Sequence, residues 1–148
     1  MTGTAAVPRL PTPAEVDRLV HLRAAKDLLD RAYAEPLDLA ALAARAGYSR
    51  FHFARSFRTA YGDTPGRYLT RRRVERAQEL LRTANLTVTE VCVLVGFTSL
   101  GSFSRRFREL VGTSPSEYQR RAGQPPIPGC FVLMWGGAAA PGGLRSRS

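Results

Sequence analysis

Apolar side chains recur at intervals of three and four along most of this chain, and short clusters of Gly, Pro, Ser, Thr and Asp separate the runs. That is the period of helices which bury one face. The first run opens at Thr12-Pro13-Ala14-Glu15, where a hydroxyl, a proline at the first helical position and a glutamate at the third form a capping box. The pattern predicts a helix from about Pro13 to Tyr33, with Val16, Leu19, Leu22, Ala25, Lys26 and Leu29 on the core-seeking face and Pro36 as its interruption. Asp38 caps a short helix, Leu39 to Ala46, whose buried side is Leu39, Leu42, Ala43 and Ala46 and which Gly47 stops. Ser49 caps a third helix, about 50–61, with Phe53, Ser56, Phe57 and Ala60 on one face. Thr64-Pro65 opens a long helix to about Thr83, with Tyr68, Leu69, Val74, Ala77, Leu80 and Leu81 as its apolar positions.

The second half repeats this order. Thr87-Val88-Thr89-Glu90 is another capping box, followed by Val88, Val91, Cys92 and Val95 facing inward and a stop at Gly96-Phe97. Ser99 caps a helix of about 100–111 with Phe103, Phe107 and Leu110 inward, and Ser114-Pro115-Ser116-Glu117 opens a last helix ending near Ala122. The string Phe57-Arg58, Gly62, Pro65, Tyr68 recurs as Phe107-Arg108, Gly112, Pro115, Tyr118, which sets Phe57 and Phe107 50 positions apart. Leu39 and Val88, which open the two shorter helices, are 49 apart, so the second turn has gained one residue. Two short helices joined by a few residues including glycine make a helix-turn-helix, and this chain carries the unit twice. The expected fold is all-α: a seven-helix bundle of two helix-turn-helix subdomains joined by a long linker helix. Residues 1–12 are expected to be a flexible N-terminus, and 13–122 the double helix-turn-helix domain. Within it, 13–63 form the first unit, 64–83 the linker helix and 84–122 the second unit. Residues 123–148 are expected to be a Gly/Pro-rich tail around the apolar island Cys130–Trp135.

Composition changes the picture in one respect. Of 148 residues, 22 are Lys or Arg, nearly all Arg, against 12 Asp or Glu, a net charge of +10. Arginine's planar fork of donors suits phosphates and guanine edges, so a polyanionic partner is expected. Placement sharpens this expectation. On the third helix Phe51, Arg55 and Arg58 lie opposite the buried phenylalanines, with His52 and Ala54 on the flanks; on the sixth Gly101, Arg105 and Arg108 do, flanked by Ser102 and Ser104. Both helices thus expose arginines and small residues that would let them settle into a DNA major groove. Catalytic chemistry is not expected: there are no paired carboxylates, nucleophile elbow or phosphate loop. Cys92 and Cys130 make no zinc spacing with His21 or His52, and Cys92 reads as a small buried hydrophobe. No metal or cofactor is expected. Neither a leader peptide nor an apolar run approaching about 20 residues occurs, so the cytoplasm is the expected compartment.

Gly47-Tyr48-Ser49 followed by Phe53-Ala54-Arg55-Ser56-Phe57-Arg58, then Gly62, Pro65 and Tyr68, resembles the first unit of AraC/XylS-type transcription regulators. Val88-Thr89-Glu90-Val91, Gly96-Phe97 and Phe103-Ser104-Arg105-Arg106-Phe107-Arg108, with Gly112, Pro115 and Tyr118, resembles that family's second unit, and Arg73-Val74, Ala77, Leu80 and Leu81 its linker helix. The resemblance, spanning about Pro13 to Ala122, implies a sequence-specific regulator whose helices of about 50–61 and 100–111 enter successive major grooves of an asymmetric site. Matched by position, it implies base contacts at Phe51, Ala54, Arg55, Leu100, Gly101, Ser102 and Arg105. It implies DNA-backbone contacts at Ser49, Arg50, Thr98, Ser99 and Ser116, to which the exposed Arg58 and Arg108 add two more. Arg73 matches a structural position, where a buried pairing role is expected. The implied partner is double-stranded DNA, bound as a monomer, with RNA polymerase a further candidate. No membrane and no small-molecule domain is implied, and the chain looks like a short stand-alone member. The alternative is a protein-interaction module that keeps the fold without DNA readout, which Ala54 and Gly101 favour because their side chains donate no hydrogen bond.

Overall fold

Helix punctuation accounts for the whole architecture of residues 7–123, the part of the chain described in a computed structural model. Among these residues there are seven helices and no strand: α1 Pro13–Arg31, α2 Leu39–Arg45, α3 Arg50–Tyr61, α4 Pro65–Thr83, α5 Val88–Leu94, α6 Leu100–Val111 and α7 Pro115–Ala122. Six helices start on a Ser or Thr whose hydroxyl accepts a first-turn amide, and α2 starts on Asp38, whose carboxylate takes the Ala40 and Ala41 amides. Both capping boxes close. The Glu15 amide donates to Thr12 Oγ1 at 3.2 Å and the Thr12 amide to Glu15 Oε2 at 2.7 Å. The same exchange joins Thr87 and Glu90 at 3.1 and 2.7 Å. Segments 1–6 and 124–148, including half of the expected flexible N-terminus and the Cys130–Trp135 island, lie outside the described residues.

Two cores form, and α4 belongs to both. Tyr68 and Leu69 in its first turns close a cluster with Leu22, Ala25 and Leu29 of α1, Ala43 of α2 and Phe53 and Phe57 of α3. Val74, Ala77 and Leu81 further along close a second cluster with Val91 and Cys92 of α5 and Phe103 and Phe107 of α6. The aromatic rings show that one core is a copy of the other. Tyr48, Phe53, Phe57 and Tyr68 stand in sequence with centroids 6.0, 5.9 and 5.6 Å apart. Phe97, Phe103, Phe107 and Tyr118 repeat the ladder at 5.2, 5.7 and 5.4 Å, edge-on and tilted contacts that aromatic quadrupoles favour.

Three expectations fail here for geometric reasons. Helix α1 stops at Arg31, not Tyr33, and the released Tyr33 packs against both cores. Val16 and Leu19 are exposed because the first half of α1 runs past the end of the first core, so burial begins only at Leu22. Leu110 and Ala60 share the inward phase of α6 and α3, but the last turns pack on their cores through Val111 and Tyr61 instead, and both residues are exposed. Cys92 is buried, and burial pushes its thiol pKa up, as befits an inert packing residue.

Candidate nucleic-acid interface

Helices α3 and α6 have the same length, with Phe53 and Phe57 or Phe103 and Phe107 fully packed. Fixing one side of a helix this firmly fixes what the opposite side presents. On α3 that side carries Phe51, which is 73% exposed, Arg55 and Arg58, with Ala54 half-buried at its edge. The guanidinium of Arg50 sits 5.4 Å from the Phe51 ring centre, so the ring and a cation leave the helix start together. On α6 Gly101, Arg105 and Arg108 are exposed, Leu100 is 45% exposed, and Ser102 is half-buried. At Gly101 the nearest atom a Cβ would meet is Ser99 Oγ at 3.8 Å, so packing does not require the glycine.

The helix starts supply donors. Ser49 Oγ accepts the His52 amide at 3.2 Å and Ser99 Oγ the Ser102 amide at 3.1 Å. Each hydroxyl keeps its own proton to donate, and the amides of Arg50, Phe51, Leu100 and Gly101 precede the first intrahelical bond. Thr98 lies exposed in the longer second turn, beside Ser99. The start of α7 offers a single free amide: Pro115 has none and Glu117 donates to Ser114 Oγ at 3.1 Å, which leaves Ser116.

Charge pairing separates these helices from the linker. Arg71 lies 3.2 Å from Asp63 and 3.4 Å from Glu75, Arg72 reaches Glu75 at 2.8 Å, and Arg76 pairs with Glu79. Arg120 and Arg121 share Glu117. Helix α3 contains no acidic residue, and the one on α6, Glu109, pairs with Arg106 at 2.9 Å. Among the described residues Arg50, Arg55, Arg58, Arg105 and Arg108 therefore have no carboxylate partner. Arg18, Arg23, Arg31 and Arg45 share that property, as do Arg73 and Arg82 of the linker, which bond to carbonyls and to the Tyr118 hydroxyl, so pairing alone does not mark the face; pairing together with helix phase does.

One cation near the face was not readable from the sequence. The exposed start of α1 and the flank of α3 enclose a groove of about 440 Å³, lined by Arg18, Leu19, Tyr48, His52, Arg55 and Ser56 among others. Arg18 lines that groove together with Arg55, yet its place in the α1 pattern distinguishes it from no other surface arginine. His52 packs edge-on against Tyr48, with ring centres 5.0 Å apart, as part of the turn. Among the described residues no group of three His, Cys, Asp or Glu side chains is arranged to hold a metal, and no helix is long and apolar enough to cross a membrane.

Comparison with known proteins agrees with this geometry. Residues 42–121 match a family model described as a helix-turn-helix domain. The regulatory protein SoxS of Escherichia coli (strain K12) is 33% identical over 104 residues, which cover 68% of this chain and 97% of SoxS. The transcriptional activator AarP of Providencia stuartii is 39% identical over 83 residues, 56% of this chain and 62% of AarP, so the match spans less than two thirds of that relative. The crystal structure of the DNA-binding domain of AdpA in complex with a target DNA is 31% identical, with a TM-score of 0.63, over 78% of this chain and 96% of that one. An AraC-type transcriptional regulator from Chromobacterium violaceum matches with 27% identity and a TM-score of 0.62, over 75% of this chain and 99% of its own.

Proposed function

Because this chain belongs to the AraC/XylS family of transcription regulators, we propose that it binds a two-part DNA site, with α3 in one major groove and α6 in the next. The observation that carries this reading is the pair of superimposable faces, each backed by two buried phenylalanines and each bearing arginines without carboxylate partners. The AdpA complex supports it, since that domain has the same fold and holds DNA.

Arg55 and Arg105 are the base readers with hydrogen-bonding reach, bidentate to guanine where the site offers one. Phe51 and Leu100 give apolar contact, for example to thymine methyls, Ser102 adds one hydroxyl, and Ala54 and Gly101 let the backbone approach. Ser49, Arg50, Arg58, Thr98, Ser99, Arg108 and the Ser116 amide hold the phosphates and set register without reading sequence. The two faces differ residue by residue, so the site consists of two unlike half-sites. Two readers on one chain make a monomer sufficient. A DNA partner supports a cytoplasmic location, with RNA polymerase as a further candidate partner.

Selecting bound sequences from a random duplex pool tests the reading. Recovery of two unlike half-sites about one helical turn apart is the expected result. Binding without sequence preference, or to one half-site alone, would refute it and favour the protein-interaction reading.

A further inference from the structure

Arg73 sits midway along α4, where the helix passes from one core to the other. Its Nε donates to the Tyr33 carbonyl at 2.6 Å and an Nη2 proton goes to the Glu35 carbonyl, at 2.9 Å. Its guanidinium carbon lies 5.8 Å from the centre of the Phe97 ring. Tyr33 and Glu35 belong to the α1–α2 connection of the first unit, and Phe97 to the turn that leads into α6. One side chain thereby holds the backbone of the first unit against the reading turn of the second. Arg73 has no carboxylate partner among the described residues, and both its bonds go to main-chain carbonyls of one short segment.

Gly96 tightens the same junction from the other side. A Cβ there would fall 2.8 Å from the Ala34 carbonyl oxygen and 3.0 Å from its carbon, so the second turn rests on first-unit backbone. Gly47, the matching position of the first unit, has nothing within 4 Å of such a Cβ. The contact therefore belongs to the joint between units and not to the repeated turn. Tyr33 packs against both cores beside it.

We infer that this junction fixes the distance and rotation between α3 and α6, which makes Arg73 and Gly96 determinants of the half-site spacing the protein accepts. The inference rests on the proposed function, in that both helices must engage DNA. One added base pair moves the far half-site by about 3.4 Å along the axis and about 34° around it. A rigid pair of helices cannot follow that step, whereas a pair freed at residues 33–35 can.

The test uses the selected two-part duplex with its spacer shortened by one base pair, unchanged, or lengthened by one. The wild-type chain is expected to lose about 5- to 150-fold in affinity on either altered spacer, the cost of at least one misread base pair. In Arg73→Ala and Gly96→Ala that penalty shrinks several-fold, while single-base mismatches within a half-site cost what they cost the wild type. Arg73→Lys, which keeps the charge but loses the fork of donors, falls between and carries the test if Arg73→Ala does not fold. In the DNA-free protein, residual dipolar couplings of the two units fit one alignment tensor in the wild type and need two in the variants. Folded variants that retain the full spacing penalty, or that weaken equally on all three spacers, overturn the inference and leave the proposed function standing. A wild type that tolerates all three spacers does the same. A wild type that recovers no two-part site overturns both.

Discussion

The phenol of Tyr68 donates to Asp30 Oδ1 across 2.6 Å and so ties the linker helix to the end of α1. The other carboxylate oxygen accepts from Lys26 Nζ at 2.9 Å, and Arg72 Nε stands 3.0 Å from Oδ1. That last approach is an ion pair without a hydrogen bond, because the buried Nε–H is aimed at no acceptor. Burial pushes the Asp30 carboxyl up, but Tyr68, Lys26 and Arg72 outweigh it and hold the group below its usual range.

Tyr68→Phe removes one charge-assisted hydrogen bond and leaves the ring in place against Phe57. It is expected to lower the unfolding free energy by about 1–2 kcal/mol, measured by urea titration. Asp30→Asn should cost more, since it leaves Lys26 and Arg72 without their shared anion. A double-mutant cycle should show coupling between the two changes; simple additivity would mean that the bond contributes nothing.

Acid should act through three carboxylates. Arg9, followed by the amide and hydroxyl of Thr12, holds Glu15 at about 2, and the Thr87 amide and hydroxyl hold Glu90 below its usual range, as Asp30 is held. A carboxyl depressed in the folded state contributes stability that is present above its unfolded pKa and lost as pH falls through the folded value. Stability should therefore decline below about pH 4.5 and keep falling toward pH 2. Glu90→Gln, with Asp30→Asn and Glu15→Gln, should flatten that limb in a pH series of chemical unfolding curves. An unchanged slope would assign acid sensitivity to other groups.

Local signals were legible in the chain and long-range ones were not. Thr12, Asp38, Ser49, Thr64, Thr87, Ser99 and Ser114 each stand where a cap was expected, because a cap is settled within four residues. The bounds of α3 and α6 follow from Ser49 and Ser99 at one end and Gly62 and Gly112 at the other. Val16, Leu19 and Leu110 carry the inward phase yet stay exposed, since periodicity gives an angle and not whether anything lies opposite. The family pattern gives Arg73 a buried pairing role, but its partners are carbonyls, which no residue type reveals. The junction at Ala34 and Gly96 was invisible for the same reason: it is contact between two backbones.

Arg55→Ala and Arg105→Ala should each cost about 1–3 kcal/mol on the preferred site and relax preference at one base position. Arg50→Ala and Arg58→Ala should weaken binding on all sequences alike and reduce the salt slope by about one. Competition binding against single-base variants at several salt concentrations separates the two classes. If Arg55→Ala and Arg105→Ala lose the same factor on every sequence, those residues hold phosphates and the readout lies elsewhere.

Gly47 and Gly96 occupy matching turns with φ of +79° and +97°, so alanine at either position must hold a left-handed backbone, which costs about 1–2 kcal/mol. Beyond that their surroundings diverge. At Gly47 the new methyl would point into open space, whereas at Gly96 it would meet the Ala34 carbonyl at 2.8 Å. The carbonyls on either side of Ala34 are held by Arg73, so the loop cannot retreat cheaply. Gly96→Ala should therefore destabilise the chain by about 1–3 kcal/mol more than Gly47→Ala, the range for overpacking a fitted contact. The excess has a distinctive signature: in an Arg73→Ala background the loop is free to shift, and the difference between the two glycine substitutions should shrink. Thermal or urea unfolding of the wild type and the five variants that complete this comparison measures it. Equal costs at the two glycines would show that the second turn does not bear on Ala34, and a difference that survives Arg73→Ala would show that something other than the arginine holds the loop in place.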